Sequence, residues 1–349
     1  MTVALEEDTY RQFRQPEGVT PLATFWRQAT EGTFYWRLLI PARHLPGQVN
    51  DLRNSDIAHP DPLARQAGVA VWQFLGDLER TRFAARLQSA GVKSMMELDD
   101  NYMLPPPPVP GVKSGWSRTI KDSWKKGATG YSHQAHKLIL PSLDGLIVST
   151  DELAERYAPR VPAGVFVCPN SVDPDDWDPV EPRETTRVGF AGSASHQYDL
   201  HIVDRALDWA SRHTSLVKLG ASTSNWRWPH EQMPWTDDLA EYRRNLQMVD
   251  IGLCPLKRSD WHDCKSDIKA MEYLMAGAVP VVQADSPVFK DWLDLVPSAS
   301  TPKQWERTVK ELVLMPADDR HRIWRDAHAF LMEHKTIHTH IHKWRRAIG

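Results

Sequence analysis

The sequence predicts an α/β protein built from two Rossmann-like domains in tandem with a helical C-terminus. Three observations carry this expectation. From Val69 onward, short apolar runs alternate with amphipathic stretches. A segment rich in proline and carboxylates, 171–186, interrupts the series, and everything after Pro302 keeps helical spacing.

In chain order, VTPLATFW (19–26) reads as a possible first strand. GTFYWRLLIPARHLPG (32–47) follows, with aromatics that read chiefly as core and with Arg37 and Arg43 as candidates to line an acceptor. VAVWQF (69–74) is a strand, DLERTRFAARLQSAG (77–91) a helix and VKSMMEL (92–98) the next strand, one complete βαβ unit. DGLIVST (144–150), the helix DELAERYAP with Asp151 near its N-terminus, and GVFVCPN (164–170) repeat the pattern. These elements define a first domain over 1–170. SVDPDDWDPVEPRETT (171–186) has three prolines and no apolar periodicity, and reads as a linker. A second domain over 187–318 then runs through RVGFAGS, the helix DLHIVDRALDWASRH, SLVKLGA, the helix DDLAEYRRNLQMV, DIGLCPL, the helix KSDIKAMEYLMAG and AVPVVQAD. Helices fill the rest, TPKQWERTVKELVLM and PADDRHRIWRDAHAFLMEHK among them, with no repeat of solenoid length.

Composition narrows the function. Across 349 residues, 42 Lys and Arg stand against 45 Asp and Glu, a formal net charge of −3, so recognition must be local rather than driven by overall charge. The longest apolar stretch, 274–282, is too short to span a membrane, and residues 1–18 hold no apolar signal-peptide region. A cytoplasmic protein with no membrane partner is expected. Cys168, Cys254 and Cys264 form no C-x-x-C pair and read as reduced thiols without structural zinc. The 15 tryptophans are expected mainly in cores, and otherwise as flat faces for sugars or bases.

In tandem Rossmann-like domains ligands are expected in a central cleft, at the carboxyl ends of the strands. Those ends hold Asp99 and Asp100 in the first domain, and Gly192 to His196, the Pro255 region and Lys265 to Glu272 in the second. In CKSDIKAMEYLMAGAVPVV (264–282), spacing puts Lys265, Lys269 and Glu272 on one face of a helix, with Ser266 alongside. Lysines at a helix start hold phosphate, and a carboxylate one or two turns on accepts bonds from the vicinal hydroxyls of a ribose. A solvated Lys-Glu face is the competing reading. In the GFAGS turn, Gly192 and Ser193 could meet a diphosphate and His196 could add a bond, against a plain tight connection and a surface histidine. Asp99 or Asp100 could be a general base for an acceptor hydroxyl, unless both merely cap a turn or pair with basic neighbours. No metal is expected, because no His/Asp set has ligand spacing.

Residues 112–137 concentrate Lys113, Arg118, Lys121, Lys125, Lys126 and Lys137 against the single acid Asp122, interleaved with Trp116, Trp124 and Tyr131. Basic groups neutralise phosphates and aromatic rings stack bases, so this segment reads either as an acceptor-side nucleic-acid surface or as a solvated loop whose tryptophans pack inward. In the tail, His338, His340 and His342 alternate, a spacing that faces one side of a strand and scatters round a helix.

DGLIVSTDELA (144–154), VFVCPNSVD (165–173), VGFAGSASHQYDL (188–200) and MEYLMAGAVPVV (271–282), in that order along the chain, resemble the nucleotide-sugar glycosyltransferases of GT-B architecture. The resemblance implies a donor domain that binds a nucleoside-diphosphate sugar through Gly192, Ser193, His196, Lys265, Ser266, Lys269 and Glu272, with no further cofactor and no metal. It also implies that the terminal helix, 319–349, crosses back to the first domain. The better-known retaining members carry a Glu eight residues before the ribose-binding one, where this chain has Cys264. The compact form resembles phage-encoded members, some of which decorate hydroxymethylated bases in DNA. With Arg37, Lys113, Trp116, Arg118, Lys121, Trp124, Lys125 and Lys126 on the acceptor side, DNA is the first expected acceptor. A glycan, lipid or protein acceptor, a nucleotide-sugar epimerase or hydrolase, and a non-enzymatic DNA-binding module are the rival readings.

Overall fold

The computed structural model describes residues 23–27, 32–45, 47–51, 67–75, 78–104, 133–180, 183–192, 196–220, 226–234, 236 and 238–349. Those up to 104, those from 133 to 171, and Ile337–Gly349 belong to one unit; Val172–Thr336 belongs to the other.

The first unit is organised by six parallel strands: β1 (Ala23–Arg27), β2 (Gly47–Asp51), β3 (Val69–Gln73), β4 (Lys93–Leu98), β5 (Gly145–Val148) and β6 (Val165–Val167), in the order β2-β1-β3-β4-β5-β6. Between them run α1 (Leu78–Ser89), α2 (His133–Ile139) and α3 (Asp151–Tyr157). Every residue of β3 is buried, which is why VAVWQ reads as a continuous apolar run rather than an alternating one. Trp26 lies opposite Trp72 in the β1–β3 register. Their rings stack at 5.2 Å, and both meet Phe83 of α1 edge-on. Thr150 caps α3 by accepting from the Leu153 N–H at 3.3 Å, so Asp151 falls in the first turn, where the helix dipole favours it. The 32–43 stretch is helical, with a π-helical turn at Tyr35–Leu39 that is buried throughout.

In the second unit β7 (Val188–Gly192), β8 (Leu216–Gly220), β9 (Glu231–Met233), β10 (Ile251–Cys254), β11 (Val279–Gln283) and β12 (Ser298–Ala299) form a parallel sheet in the order β12-β11-β10-β7-β8-β9. Strand order reverses between β7 and β10, the topological switch point at which such sheets take ligands. The helices are α4 (Gln197–Leu200), α5 (Asp204–Ala210), α6 (Leu239–Leu246), α7 (Ile268–Met275), α8 (Pro302–Leu314) and α9 (Ala317–His334). The single helix expected over 199–213 is instead α4 and α5 joined by a 3-10 turn, His201–Val203. Edge strands β9 and β12 escaped the sequence reading because Glu-Gln-Met has no apolar alternation and β12 is only two residues long.

Close approach sets the geometry around β10. A Cβ on Gly252 would lie 2.3 Å from the Tyr273 ring, so glycine is needed for α7 to lie on the strand. Tyr273 Oη then accepts from the Ala191 N–H at 2.7 Å, tying α7 to β7. Residues 183–187 are anchored by charge rather than by apolar contact. The Arg183 Nε, the Thr185 hydroxyl and the Arg187 N–H all donate to the Asp250 carboxylate at 2.8 Å. Backbone and side-chain donors together hold that carboxylate below its usual range despite burial.

Tryptophan serves the core. Trp26, Trp72, Trp292, Trp305 and Trp344 are fully buried. The Trp292 and Trp305 indoles donate to Asp267 and Gln283 at 2.8 and 3.2 Å. The last helix, α10 (Ile337–Ile348), is part of the first unit. Its Trp344 packs on Phe25, and its His340 is bonded to the Ser171 hydroxyl at 2.8 Å. Among the described residues no helix is long and apolar enough to cross a membrane.

Candidate functional site

At the switch point β7 ends in Gly192 beside the start of α7. Lys269, in the first turn of α7, donates from Nζ to the Ala191 carbonyl at 2.6 Å and stands 5.3 Å from the centre of the Phe190 ring. A Cβ on Gly192 would come within 2.8 Å of the Phe190 ring and 3.2 Å of that Nζ, so the glycine leaves room first for the ring and then for the cation. Burial pulls the Lys269 ammonium below the ordinary lysine value, with Glu272 opposing the shift.

Lys265 does not share a helical face with Lys269 and Glu272. It follows the 3-10 turn His262–Cys264 in extended backbone, ahead of α7, because the helix begins only at Ile268. Its Nζ sits 4.5 Å from the centre of the Trp261 ring, and Ser266 follows it, half-buried. Glu272, 8 % exposed, accepts from the Tyr242 hydroxyl of α6 at 2.9 Å. Cys264 is buried, its thiol donating to the Asp260 carbonyl at 3.3 Å.

A carboxylate that the sequence reading did not single out joins the two sides of the switch. Asp199 is wholly buried, and its Oδ2 lies 3.0 Å from His196 Nδ1. Its Oδ1 accepts from the Lys257 N–H at 2.9 Å and lies 3.5 Å from His262 Nε2. The other nitrogen of His262, Nδ1, is 2.9 Å from the Ser259 hydroxyl. One side chain therefore ties the residues after β7 to the residues after β10. Burial together with Lys269, Lys265 and His262 holds the His196 imidazole well below the ordinary histidine value. The signal for Asp199 was present in GFAGSASHQYDL, where it follows His196 by three residues, a spacing that meets within one turn. No local pattern announces His262, Tyr242 or Tyr273.

In the first unit Asp99 and Asp100 stand directly beyond β4, half-exposed. The Tyr102 hydroxyl approaches Asp99 Oδ1 at 3.4 Å. Arg37, expected to line an acceptor, is 0 % exposed and turned into the protein. It donates to the Glu97 carboxyl, to the Cys168 carbonyl at 2.6 Å and to Asn170 Oδ1 at 3.0 Å, with the Trp344 ring 5.3 Å away. Three buried acceptors hold its Nε and Nη1 inward, while Nη2 is buried with no partner among the described residues. Burial pushes Glu97 up to about 8, against the pull of Arg37 and with Asp99 and Asp100 adding to the rise. Phe74, just after β3, holds φ +51, uncommon outside glycine, and its ring stacks on His136 at 5.2 Å. Arg43 is half-buried. Ser193, Lys113, Trp116, Arg118, Lys121, Trp124, Lys125 and Lys126 lie outside the described residues.

No family model matches the chain, and no curated protein matches it in sequence. Solved structures match it in fold. Anabaena HepE in complex with UDP-glucose superposes with a TM-score of 0.61 at 11% identity, over 93% of this chain and 98% of that one. The α,α-trehalose 6-phosphate synthase of Burkholderia multivorans gives 0.57 at 12% identity, over 95% and 98%. A UDP-forming α,α-trehalose-phosphate synthase of Burkholderia xenovorans gives 0.54 at 14%, over 81% and 74%. The fold is GT-B. In the GT-B fold the second Rossmann-like unit is the one whose switch point here gathers Gly192, His196, Lys265, Lys269 and Glu272.

Proposed function

We propose that this protein is a glycosyltransferase that takes a sugar from a nucleoside diphosphate and passes it to an acceptor hydroxyl. The observation that carries the reading is the pair of cations around Gly192, Lys269 held against the Ala191 carbonyl and Lys265 close enough to depress His196, with the carboxylate of Glu272 one turn further along α7. In this reading the diphosphate lies against Lys265, Lys269 and His196, with Ser193 and Ser266 as further donors to it. Glu272, already fixed by Tyr242, accepts from the ribose hydroxyls. Asp99 or Asp100 takes the proton of the acceptor hydroxyl as it attacks the anomeric carbon. The diphosphate leaves as an anion, whose charge the two lysines stabilise. The UDP-glucose bound to the HepE structure is consistent with such a donor.

For the acceptor, the composition of 112–137 favours DNA, and the resemblance to phage-encoded members narrows it to a hydroxymethylated base. A glycan, lipid or protein hydroxyl is the alternative within the same class. Incubation with UDP-, GDP-, ADP- and dTDP-glucose and with hydroxymethylated DNA, followed by mass analysis of the digested nucleosides, tests both levels. A mass gain on the modified nucleoside supports the DNA acceptor. Donor consumption that needs a glycan instead moves the acceptor, and altered free sugar without any acceptor turns the reading into an epimerase or hydrolase. Failure of every donor to bind in calorimetry overturns the proposal.

A further inference from the structure

We infer that binding of a nucleoside-diphosphate sugar at the β7–β10 switch point draws a proton onto His196 Nε2, with Asp199 as the positioning residue that holds the ring for it. The inference rests on the donor-site reading above. Its geometry is the buried bridge: His196 Nδ1 at 3.0 Å from Asp199 Oδ2, while Oδ1 of the same carboxylate takes the Lys257 N–H and faces His262. An acceptor carboxylate at Nδ1 places the ring hydrogen on that nitrogen and leaves a lone pair at Nε2. Among the described residues nothing bonds to that nitrogen.

The titratable groups around the ring are Asp199 on its own turn, Lys269 on α7, Lys265 ahead of α7 and the His262 imidazole after β10, with the Phe190 ring of β7 at 6.4 Å. Without a ligand, burial first and then Lys269 and Lys265 keep the imidazole neutral. A bare lone pair repels a phosphate oxygen, whereas an N–H donates to it. A diphosphate also neutralises Lys265 and Lys269, the groups that disfavour the imidazolium. The solvent proton adds to the Nε2 lone pair, the Nδ1 hydrogen stays on Nδ1 and is donated to Asp199, and no covalent bond to the donor changes. Between the free and bound pKa values, donor affinity then falls up to about tenfold for each unit rise in pH.

Calorimetry with UDP-, GDP- and dTDP-glucose, whose diphosphate diesters do not titrate near neutrality, is run from about pH 6 to about pH 8 in buffers of different ionisation enthalpy. The expected result is net uptake approaching one proton per donor bound. His196→Gln keeps an N–H donor and is expected to bind without uptake and without the pH slope. Asp199→Asn is expected to lower the uptake while circular dichroism stays unchanged. Wild-type binding with no proton uptake, or uptake that persists in His196→Gln, overturns the inference and leaves the donor site standing. Binding of none of the three overturns both.

Discussion

Both units carry a six-stranded parallel sheet, yet they use charge at the strand ends in opposite ways. Near the end of β4 and beyond β6 the first unit turns its guanidinium inward, where Glu97, Asn170 and a main-chain carbonyl hold it. Beyond β7 the second unit holds Lys269 with a carbonyl oxygen and a ring face and no carboxylate within ion-pair distance among the described residues, so its charge is still available to an anion. The same architecture thus pairs a cation with a carboxyl in one half and leaves one bonded only to a main-chain carbonyl in the other, the one the proposed function assigns to the donor. The fold offers the place, and the side chains decide its use.

The most severe test of this contrast is Arg37→Met. It strips three buried acceptors of their donor and is expected to cost about 3–5 kcal/mol, read from urea unfolding. A loss below about 1 kcal/mol would show that the first unit does not depend on its inward cation. The same pair sets a pH dependence. Glu97 sits at about 8 in the folded protein against an ordinary 4.5, so the folded state holds the proton more tightly over that interval. Its contribution is fully present below the unfolded value and is lost as pH rises through the folded one, so unfolding midpoints should fall from about pH 5 toward about pH 8. In Glu97→Gln that decline should flatten.

Next in size is catalysis. Asp99→Asn or Asp100→Asn is expected to lower turnover by about two to four orders of magnitude with donor affinity unchanged. Near-normal turnover in both variants would make the first unit's strand ends structural throughout. On the other side of the comparison, Glu272→Ala should weaken donor binding by roughly 1.5–3 kcal/mol and, by stranding the buried Tyr242 hydroxyl, lower stability by about 1–3 kcal/mol. Glu272→Gln preserves an acceptor for Tyr242 and should separate the two, losing affinity but little stability. The smallest effect is expected of Lys265→Ala, about 1 kcal/mol or less in stability, with a donor affinity that becomes less sensitive to salt. A larger stability loss would mean that Lys265 is structural, like Arg37.

Much of this architecture was legible in the chain. VAVWQF, VKSMMEL, DIGLCPL and AVPVVQAD all become strands because a buried parallel strand needs a continuous apolar run. TPKQWERTVKELVLM becomes a helix because Thr301 and Gln304 form a capping box and Pro302 opens the first turn. The polar edge strand β9 and the short β12 carry no such signal, and the broken helix after His196 depends on what its residues meet rather than on their spacing. Of the candidate site, Gly192, His196 and Lys269 were readable as residues at a strand end or helix start and Glu272 as a residue further along the helix, but not what each one touches.

By itself the sequence determined the elements, their order and the chemistry available at the strand ends, because apolar period, capping and turn residues act within a few positions of the chain. Only the tertiary structure decided that Arg37 is consumed by Glu97, 60 residues away, and that Asp199 reaches the Lys257 N–H, 58 residues on. It also decided that Lys265 stands off the helix that carries Lys269. The Asp199 contact follows from strand order, which brings β7 beside β10 rather than beside its sequence neighbours alone, and a distance set by packing has no period to read in the chain.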